Sequence, residues 1–459
     1  MTTPETMAPP MPSTSPSPAP LTPASLSVGH EMAWQRLLTN HRRPHKNAPF
    51  GLLDIGSSKL CCYIVRTRGE EGFVLLGRGY QAAEGFQAGE VIDAEAAEAS
   101  MLAVLNEAEE AAGETLREIA VSWSGGRPSA GLVTVECPIG GRLIDDDDID
   151  RALEQVRGSV LGNERQILHI LPVEMRPDGG DALADPRGLA AQTLDVTALV
   201  VSVAKPALRN LTACLERCHL DVMELTNATY AAGIGCLTVD EMRRGVLLLE
   251  LGGGTTSLGL FSGGALCHLA QVPYGGEHVT RDLAYCLSTS RAFAERLKNL
   301  YGGVLCRACD DNVRIEVPII GDQAEQPTGE VPRTRLTEII RARVEETLTL
   351  IQSRLRDQED LVQSKPPRSM VLTGGAAQIE GIEELAEEIF GLKARIGRPA
   401  AVRGRAGLED QPCCSAAAGG LVLVTGRDGG SSWKQMSEVP ALTSGLARLG
   451  HWLKQNFVS

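Results

Sequence analysis

Residues 246–264 read VLLLELGGGTTSLGLFSGG. Residues 246–249 form a short aliphatic run bounded by turn residues, which predicts a buried strand. Residues 258–261 predict a second strand, and Ser262, Gly263 and Gly264 another turn. Gly252, Gly253 and Gly254 connect the two strands. Consecutive glycines let the backbone turn sharply and let another group come close. They also leave N–H groups pointing into open space, where an anion can bind. Thr255 and Thr256 add hydroxyls. Glu250 stands just before the turn, placed to hold a magnesium ion through water. A plain hairpin with a loose loop fits the same letters, so this stretch needs support from elsewhere in the chain.

That support is FGLLDIGSSKLCCYIVR, residues 50–66. Strands are expected over 51–55 and 60–65, joined by Gly56, Ser57, Ser58 and Lys59. Asp54 takes the place that Glu250 has in the later hairpin. Two turns with the order acid, glycine, hydroxyl suggest two similar halves facing one nucleotide. A third element, SMVLTGGAAQIEGIEELAEEIFG (369–391), runs from a strand over 370–373 through Gly374, Gly375 and Ala376. It continues into a helix with Ile382, Leu385 and Ile389 on one face. Such a turn sets a flat or anionic group against backbone and a helix N-terminus, although ordinary βα turns share it. In VPYGGEHVTRDLAYCL (272–287), Gly275 and Gly276 open a helix. In AERLKNLYG (294–302), Glu295 and Lys298 lie one turn apart on a shared helical face. They suit either a surface ion pair or a grip on a ribose and base.

Composition narrows the classes. The 459 residues are enough for about three domains. Hydrophobic residues make up 43% and aromatics 4%, so the cores are expected to be aliphatic. A formal net charge of -14 argues against nucleic acid as a partner. The 12 cysteines include adjacent pairs, Cys61-Cys62 and Cys413-Cys414, which suit a reducing compartment better than disulfides. Cys306 and Cys309 have C-x2-C spacing, but no second ligand pair follows at zinc-finger distance. No run of about 18 apolar residues is present to span a membrane. Residues 1–47 are rich in Pro, Ser and Thr, lack a signal-peptide core and are expected to be a disordered tail ending in the basic cluster HRRPHK.

DIGSSK, ELGGGTTS and LTGGAAQIEGI resemble the two phosphate loops and the adenosine motif of the actin, Hsp70 and sugar-kinase superfamily. More narrowly, the chain resembles the FtsA family of bacterial cell-division proteins. LHILPVE (168–174), DPRGLAAQTLDV (185–196) and CLERCHLDV (214–222) add to that likeness, together with the segments at 272–287 and 294–302. It runs from about residue 50 to the end of the chain. It implies an α/β, actin-like (ribonuclease H-like) fold with two lobes around an ATP cleft and an inserted 1C subdomain. The implied layout is 1A at 48–125, an SHS2-like 1C at 126–200, 1A again at 201–226 and 2A at 227–276. Then follow 2B at 277–364, 2A at 365–396, the end of 1A at 397–424, a linker at 425–440 and a terminal helix at 441–459.

The resemblance also assigns roles. Asp54 orients water around Mg²⁺, and Gly56, Ser57, Ser58 and Lys59 contact phosphate. Gly252, Gly253, Gly254 and Thr255 form the second phosphate loop, with Gly275 and Gly276 opening a helix beside it. Glu295 and Lys298 grip adenosine, as do Gly374, Gly375 and Ala376. Glu250 departs from the aspartate usual in the family: the charge is kept on a longer arm, which puts fast hydrolysis in doubt more than binding. No catalytic residue is assigned, and at most a slow ATPase is expected. A small-molecule kinase of this fold would need a base in a substrate pocket, and the sequence offers none. A rod-shape actin homologue would lack 1C and the terminal helix. The implied partners are the C-terminal peptide of FtsZ, later membrane proteins of the divisome, further copies of this chain and anionic lipid. The implied place is the cytoplasmic face of the inner membrane at the septum.

Two segments have readings of their own. In GRLIDDDDIDRALEQV (141–156), the acids Asp145 to Asp148 suit the first turn of a helix, where the dipole favours them, better than a metal site. Leu153 and Val156 then supply its apolar face. Near the end comes ALTSGLARLGHWLKQNFVS (441–459), which as a helix turns ~100° per residue. Leu442, Leu446, Leu449, Leu453 and Phe457 fall within roughly 80°, with Trp452 at the edge. Arg448, His451 and Lys454 lie opposite. One apolar stripe with a basic opposite face is the pattern of a helix lying in a membrane surface.

Overall fold

The computed structural model describes residues 48–67, 73–160, 164–306, 312–318, 328–399 and 410–425. The first half begins with β1 (Pro49–Ile55), β2 (Lys59–Thr67) and β3 (Phe73–Ala82). A short ladder of β4 (Phe86–Gln87) and β5 (Glu90–Val91), the helix Ala94–Ala112 and β6 (Glu118–Trp123) follow. An inserted unit interrupts this half: β7 (Ser129–Pro138), the helix Asp146–Ser159, β8 (Arg165–Pro177) and β9 (Thr193–Ala204). The helix Lys205–Arg217 and β10 (Asp221–Asn227) return to the first sheet. Its strand order is β10-β6-β1-β2-β3. The hairpin and meander strands are antiparallel, and β1, β6 and β10 are parallel.

The second half opens with the helices Ala228–Cys236 and Val239–Arg244. The strands β11 (Val246–Leu251), β12 (Thr256–Ser262) and β13 (Ala265–Val272) come next. The helices Gly276–Cys286 and Arg291–Tyr301 precede a ribbon of β14 (Arg314–Pro318) and β15 (Thr328–Pro332). The helices Arg333–Arg356 and Glu359–Ser364 lead to β16 (Ser369–Thr373), the helix Ile382–Phe390 and β17 (Ala394–Ile396). The second sheet is ordered β13-β12-β11-β16-β17, with β11, β16 and β17 parallel. Each half therefore carries a three-stranded antiparallel meander extended by two parallel strands. In each, the glycine turn closes the first hairpin.

Alternation along β1 and β2 decides what each face covers. Leu53, Ile55, Leu60, Cys62 and Ile64 meet the helices Ala94–Ala112 and Lys205–Arg217. Leu52, Cys61, Tyr63 and Val65 meet Ala417, Ala418 and Leu421 of the helix Ser415–Thr425. That helix and Ala228–Cys236 pack against each other along small residues. A Cβ on Gly419 would come 1.6 Å from the Ala231 carbonyl oxygen, and one on Gly235 would come 2.1 Å from that of Ser415. Only glycine permits this approach.

The inserted sheet, ordered β7-β9-β8, packs beneath the second lobe. Leu171, Leu199 and Val201 share a core with Tyr230, Leu266 and Leu269. His169 Nε2 accepts from the Asn227 N–H at 3.0 Å, while the Asn227 side chain caps the helix Ala228–Cys236. Lys365 donates to Glu174 across the same junction. In the inserted helix Asp146–Ser159, the residue Asp145 is the N-cap, joined to Asp148 by reciprocal bonds. Asp148 is fully buried and accepts from Arg142 and, at 2.8 Å, from Arg151. The Arg142 bond holds its carboxyl far below the usual range, against the opposing effect of burial. The acids of this run thus cap a helix and close an ion pair. Val156 is buried and Leu153 partly so. Residues 441–459, and with them Leu442, Leu446, Leu449, Trp452, Leu453 and Phe457, lie outside the described residues, as does the segment 1–47. Among the described residues, no helix is long and apolar enough to cross a membrane.

Candidate functional site

The two glycine turns share one backbone geometry. The Gly56 N–H donates to the Lys59 carbonyl at 3.1 Å, and the Gly252 N–H to the Thr255 carbonyl at 2.9 Å. A Cβ on Gly56 or on Gly252 would meet that same carbonyl oxygen, at 2.9 Å in both turns. The turns face each other: a Cβ on Gly253 would lie 2.6 Å from Ser58 Oγ, and one on Gly254 would lie 2.7 Å from Ser57 Oγ.

A cleft runs between them. Its inner part, about 310 Å³, is lined by Asp54, Gly56, Ser57, Ser58, Lys59, Glu250, Gly252, Gly253, Thr255, Gly374 and Gly375. Its outer part, about 530 Å³, shares Ser58, Gly252, Gly253 and Gly375 and adds Gly276, Glu295, Lys298 and Ala376. Residues far apart in the chain are thus gathered around one space. Gly254 and Gly275 line neither part. Gly275 instead packs where a Cβ would sit 2.5 Å from the carbonyl oxygens of both Gly252 and Gly253.

The helix Gly276–Cys286 holds the second turn from behind. Its Gly276 N–H donates to the Gly252 carbonyl at 2.9 Å and its Glu277 N–H to that of Gly253 at 2.8 Å. These two donors of the first helical turn are spent on the loop. On the outer wall, Lys298 Nζ donates to Glu295 Oε2 at 2.7 Å, Thr280 Oγ1 at 2.9 Å and the Gly276 carbonyl at 3.2 Å. Burial would raise the Glu295 carboxyl, but the bonds from Lys298 and Thr280 hold it below its ordinary value. The pair is therefore a strut between two helices as well as a wall of the cleft. Gly374 has φ of +91°, and a Cβ there would lie 2.5 Å from the Leu251 carbonyl oxygen. The 3-10 turn Gly375–Gln378 follows it.

Two carboxylates stand on the cleft's inner floor. Burial pushes Asp54 up to about 6, against the nearby Lys59 cation. Burial, and then the charge of Asp54, push Glu250 up to about 7, against a bond from Thr229 Oγ1 to Glu250 Oε2 at 2.8 Å. In both acids burial outweighs the groups that would hold the charge. Hard oxygen ligands of this kind suit Mg²⁺, which commonly takes one or two carboxylates and fills the rest of its shell with water and phosphate oxygen.

Sequence reasoning missed the floor itself. Ala228, Ala232, Ser415 and Ala416 line it, with Ser124, Thr373 and Cys413. Their signal was the runs ATYAAGIG and SAAAGG, small residues that admit a backbone on either side. Gln271 was missed too. Its Nε2 donates to the Ser124 carbonyl at 2.8 Å and Ser257 Oγ at 3.1 Å, tying the two sheets together beside the cleft.

The comparisons with known proteins agree with this architecture. The family model described as cell division protein FtsA matches residues 247–419, and that of the SHS2 domain inserted in FtsA matches 125–202. The cell division protein FtsA of Rhizobium meliloti (strain 1021) is 36% identical over 419 residues, covering 88% of this chain and 94% of that protein. The chain belongs to the FtsA family of cell-division proteins. FtsA of Pseudomonas aeruginosa is 32% identical over 419 residues, covering 88% of this chain and 97% of that protein. A chain of the solved PilM–PilN type IV pilus biogenesis complex, at 17% identity, covers 83% of this chain and 99% of itself with a TM-score of 0.57. That likeness shows the fold alone, which is the two-lobed, actin-like one. The FtsA-type SHS2 match covers the inserted sheet β7-β9-β8 and its helix except for the last two residues of β9.

Proposed function

We propose that this FtsA-family chain binds ATP with Mg²⁺ in the cleft between its sheets. The nucleotide acts mainly as a clamp on the two lobes, so that its loss changes their angle. The observation that carries the reading is the facing pair of turns with the same backbone bond. In this assignment the phosphates lie between Gly56, Ser57, Ser58 and Lys59 on one side and Gly252, Gly253 and Thr255 on the other, with Gly254 packed against Ser57. Asp54 and Glu250 hold waters of the metal. Glu295, Lys298, Gly374, Gly375 and Ala376 flank the adenosine, with Gly275 and Gly276 bracing the second turn. Among the described residues no cluster of three His, Cys, Asp or Glu side chains could hold a metal ion alone, so the ion would arrive with phosphate oxygens as further ligands. Hydrolysis is slow at most.

The family supports the rest of the reading. The chain polymerises on the cytoplasmic face of the inner membrane at the septum, through contact of residues 441–459 with anionic lipid. It anchors the FtsZ ring by binding the C-terminal peptide of FtsZ on the 2B segment, 277–364, and recruits later membrane proteins of the divisome. Titration calorimetry with Mg·ATP tests the site. Sedimentation with anionic liposomes, with and without ATP and the FtsZ peptide, tests the assembly. The reading expects ATP binding, co-sedimentation and capture of the peptide. Failure to bind ATP would overturn the clamp, and failure to pellet would overturn the anchor.

A further inference from the structure

The inner wall of the cleft holds a thiol that phosphate binding does not use. Cys413 lies in the 3-10 turn Pro412–Cys414, lines the inner cavity and is half-buried. Lys59 Nζ donates to Cys413 Sγ at 3.6 Å. Cys414 Sγ lies 3.9 Å from Cys413 Sγ and accepts from the Tyr63 hydroxyl at 3.7 Å. Cys61 stands two residues beyond Lys59, buried on β2. One ammonium thus sits among three thiols. Burial works against the Lys59 charge, while the ionised forms of Cys61, Cys413, Cys414 and Asp54 would favour it, and the net direction is upward.

The three thiols are not equivalent. Burial pushes Cys61 up to about 12, and contact with Cys413 together with burial pushes Cys414 up as well. Cys413 alone of the three both faces the open cleft and touches the ammonium. A cation next to sulfur favours the thiolate, and the thiolate is the form that attacks.

We propose that Cys413 is a site of oxidation by hydroperoxides, and that its oxidation and occupancy of the cleft by nucleotide exclude each other. The inference rests on Lys59 being a phosphate ligand, as assigned above. The Cys413 sulfur attacks one peroxide oxygen; the S–O bond forms and the O–O bond breaks. Sulfur gives up two electrons, the peroxide takes them, and the departing hydroxide leaves as water with the proton shed by the thiol. The product is a sulfenic acid. Its oxygen lies beside Lys59 and competes with phosphate for that donor. Conversely, phosphate on Lys59 withdraws the cation from sulfur and closes the path to it.

The test treats the full chain with hydrogen peroxide and a dimedone trap, with and without Mg·ATP, and reads each cysteine by peptide mass spectrometry. The exposed Cys286 and Cys306 serve as internal controls. With ATP at ~100 times its dissociation constant, trapping at Cys413 falls on the order of 100-fold, because only the empty fraction reacts. Trapping at Cys286 and Cys306 is unchanged. Peroxide lowers the ATP affinity of the wild type by about tenfold or more, as loss of one charged hydrogen bond would. In Cys413→Ser the ratio of treated to untreated affinity returns to one. If the untreated chain does not bind ATP, the nucleotide reading falls and this inference with it. If it binds ATP but Cys413 is not trapped, or is trapped equally with ATP present, this inference alone is overturned.

Discussion

Thr229 Oγ1 donates to Glu250 Oε2 across the floor of the cleft at 2.8 Å. The bond joins the helix Ala228–Cys236, which links the lobes, to the acid that stands just before the second glycine turn. Glutamate is one methylene longer than aspartate, and that length lets its carboxylate reach the hydroxyl. Glu250→Asp should therefore release the carboxylate from Thr229 toward the cleft. Expected is a change in ATP affinity below about tenfold, or 1.4 kcal/mol, with hydrolysis equal to or faster than wild type. Thr229→Ala removes the same bond but leaves the longer acid in place. A buried carboxylate without its donor loses roughly 1.5–3 kcal/mol of support, and Mg·ATP binding at pH 7 should weaken. Calorimetry and phosphate release on both variants decide this. An Asp variant unable to bind ATP would show that the glutamate arm holds the site together.

The raised acids give binding a pH dependence of definite sign. Asp54 at about 6 and Glu250 at about 7 retain protons that a metal cation must displace. Mg·ATP binding should therefore release protons below pH 7, strengthen as pH rises through 6 and 7, and level off above. Calorimetry in two buffers of different ionisation enthalpy measures the release directly. Stability of the empty protein runs the other way. Both folded values lie above the ordinary ones, so the stabilisation is complete below about pH 4 and is lost as pH rises through 6 and 7. Glu250→Gln should remove its share of that loss and melt higher than wild type at pH 8 but not at pH 4. Proton uptake on binding would contradict the assignment of both carboxylates to the metal.

The glycines of the second turn should separate binding from folding. Gly253 faces Ser58 Oγ and Glu277 Oε1, both ends of side chains that can move. Gly253→Asp should keep the fold and lose ATP binding, because it adds a carboxylate where phosphate is proposed to lie. Gly275 faces two carbonyl oxygens of the loop backbone, which cannot move alone. Gly275→Ala should cost about 1–3 kcal/mol of stability. A melting curve beside an ATP titration separates the two outcomes, and normal ATP binding by Gly253→Asp would misplace the second phosphate loop.

A sharper stability test lies beneath the cleft. Gly419 touches the Ala231 backbone so closely that a Cβ would overlap its oxygen. Gly419→Ala must drive the helices Ser415–Thr425 and Ala228–Cys236 apart, at a cost of at least about 3 kcal/mol. Denaturant titration should show a large loss of midpoint for this one methyl. An unchanged midpoint would mean that the helices slide freely, which their shared core argues against.

These positions also mark what the sequence discloses and what it hides. The turns at Gly56 and Gly252 were legible because each is local: a strand, a glycine turn and a strand fall within one short window. The equal strand order of the two halves was only hinted at by those turns. Pairings such as β1 with β6 and β11 with β16 join distant segments and leave no periodic mark. The floor helices were hidden because alanine and glycine runs carry no apolar period. Thr229 and Cys413 were hidden because each acts through a partner far along the chain, 21 residues away for Glu250 and 354 for Lys59.

The last prediction concerns residues 441–459, read from their sequence pattern. Burying the stripe of Leu442, Leu446, Leu449, Leu453 and Phe457 in a headgroup region would contribute on the order of 25 cal/mol per Å² of apolar area removed from water. Four leucines and a phenylalanine, with Trp452 at the edge, then supply several kcal/mol before ordering costs. Arg448 and Lys454 add about 1 kcal/mol each on anionic lipid, screened by salt. The apolar share is the larger, so charge placed in the stripe should matter most. Leu453→Glu should release the chain from liposomes, Trp452→Glu should do so in part, and ATP binding should be intact in both. If attraction to lipid charge dominated, Arg448→Glu and Lys454→Glu would be the severe variants and Trp452→Glu nearly silent. If the segment instead docked on its own domain, Leu453→Glu would lower the melting temperature and leave lipid binding unchanged. Sedimentation with liposomes at two salt concentrations and a melting curve on each variant separate the three cases. Full lipid binding by the Leu453→Glu chain would end the membrane-anchor reading.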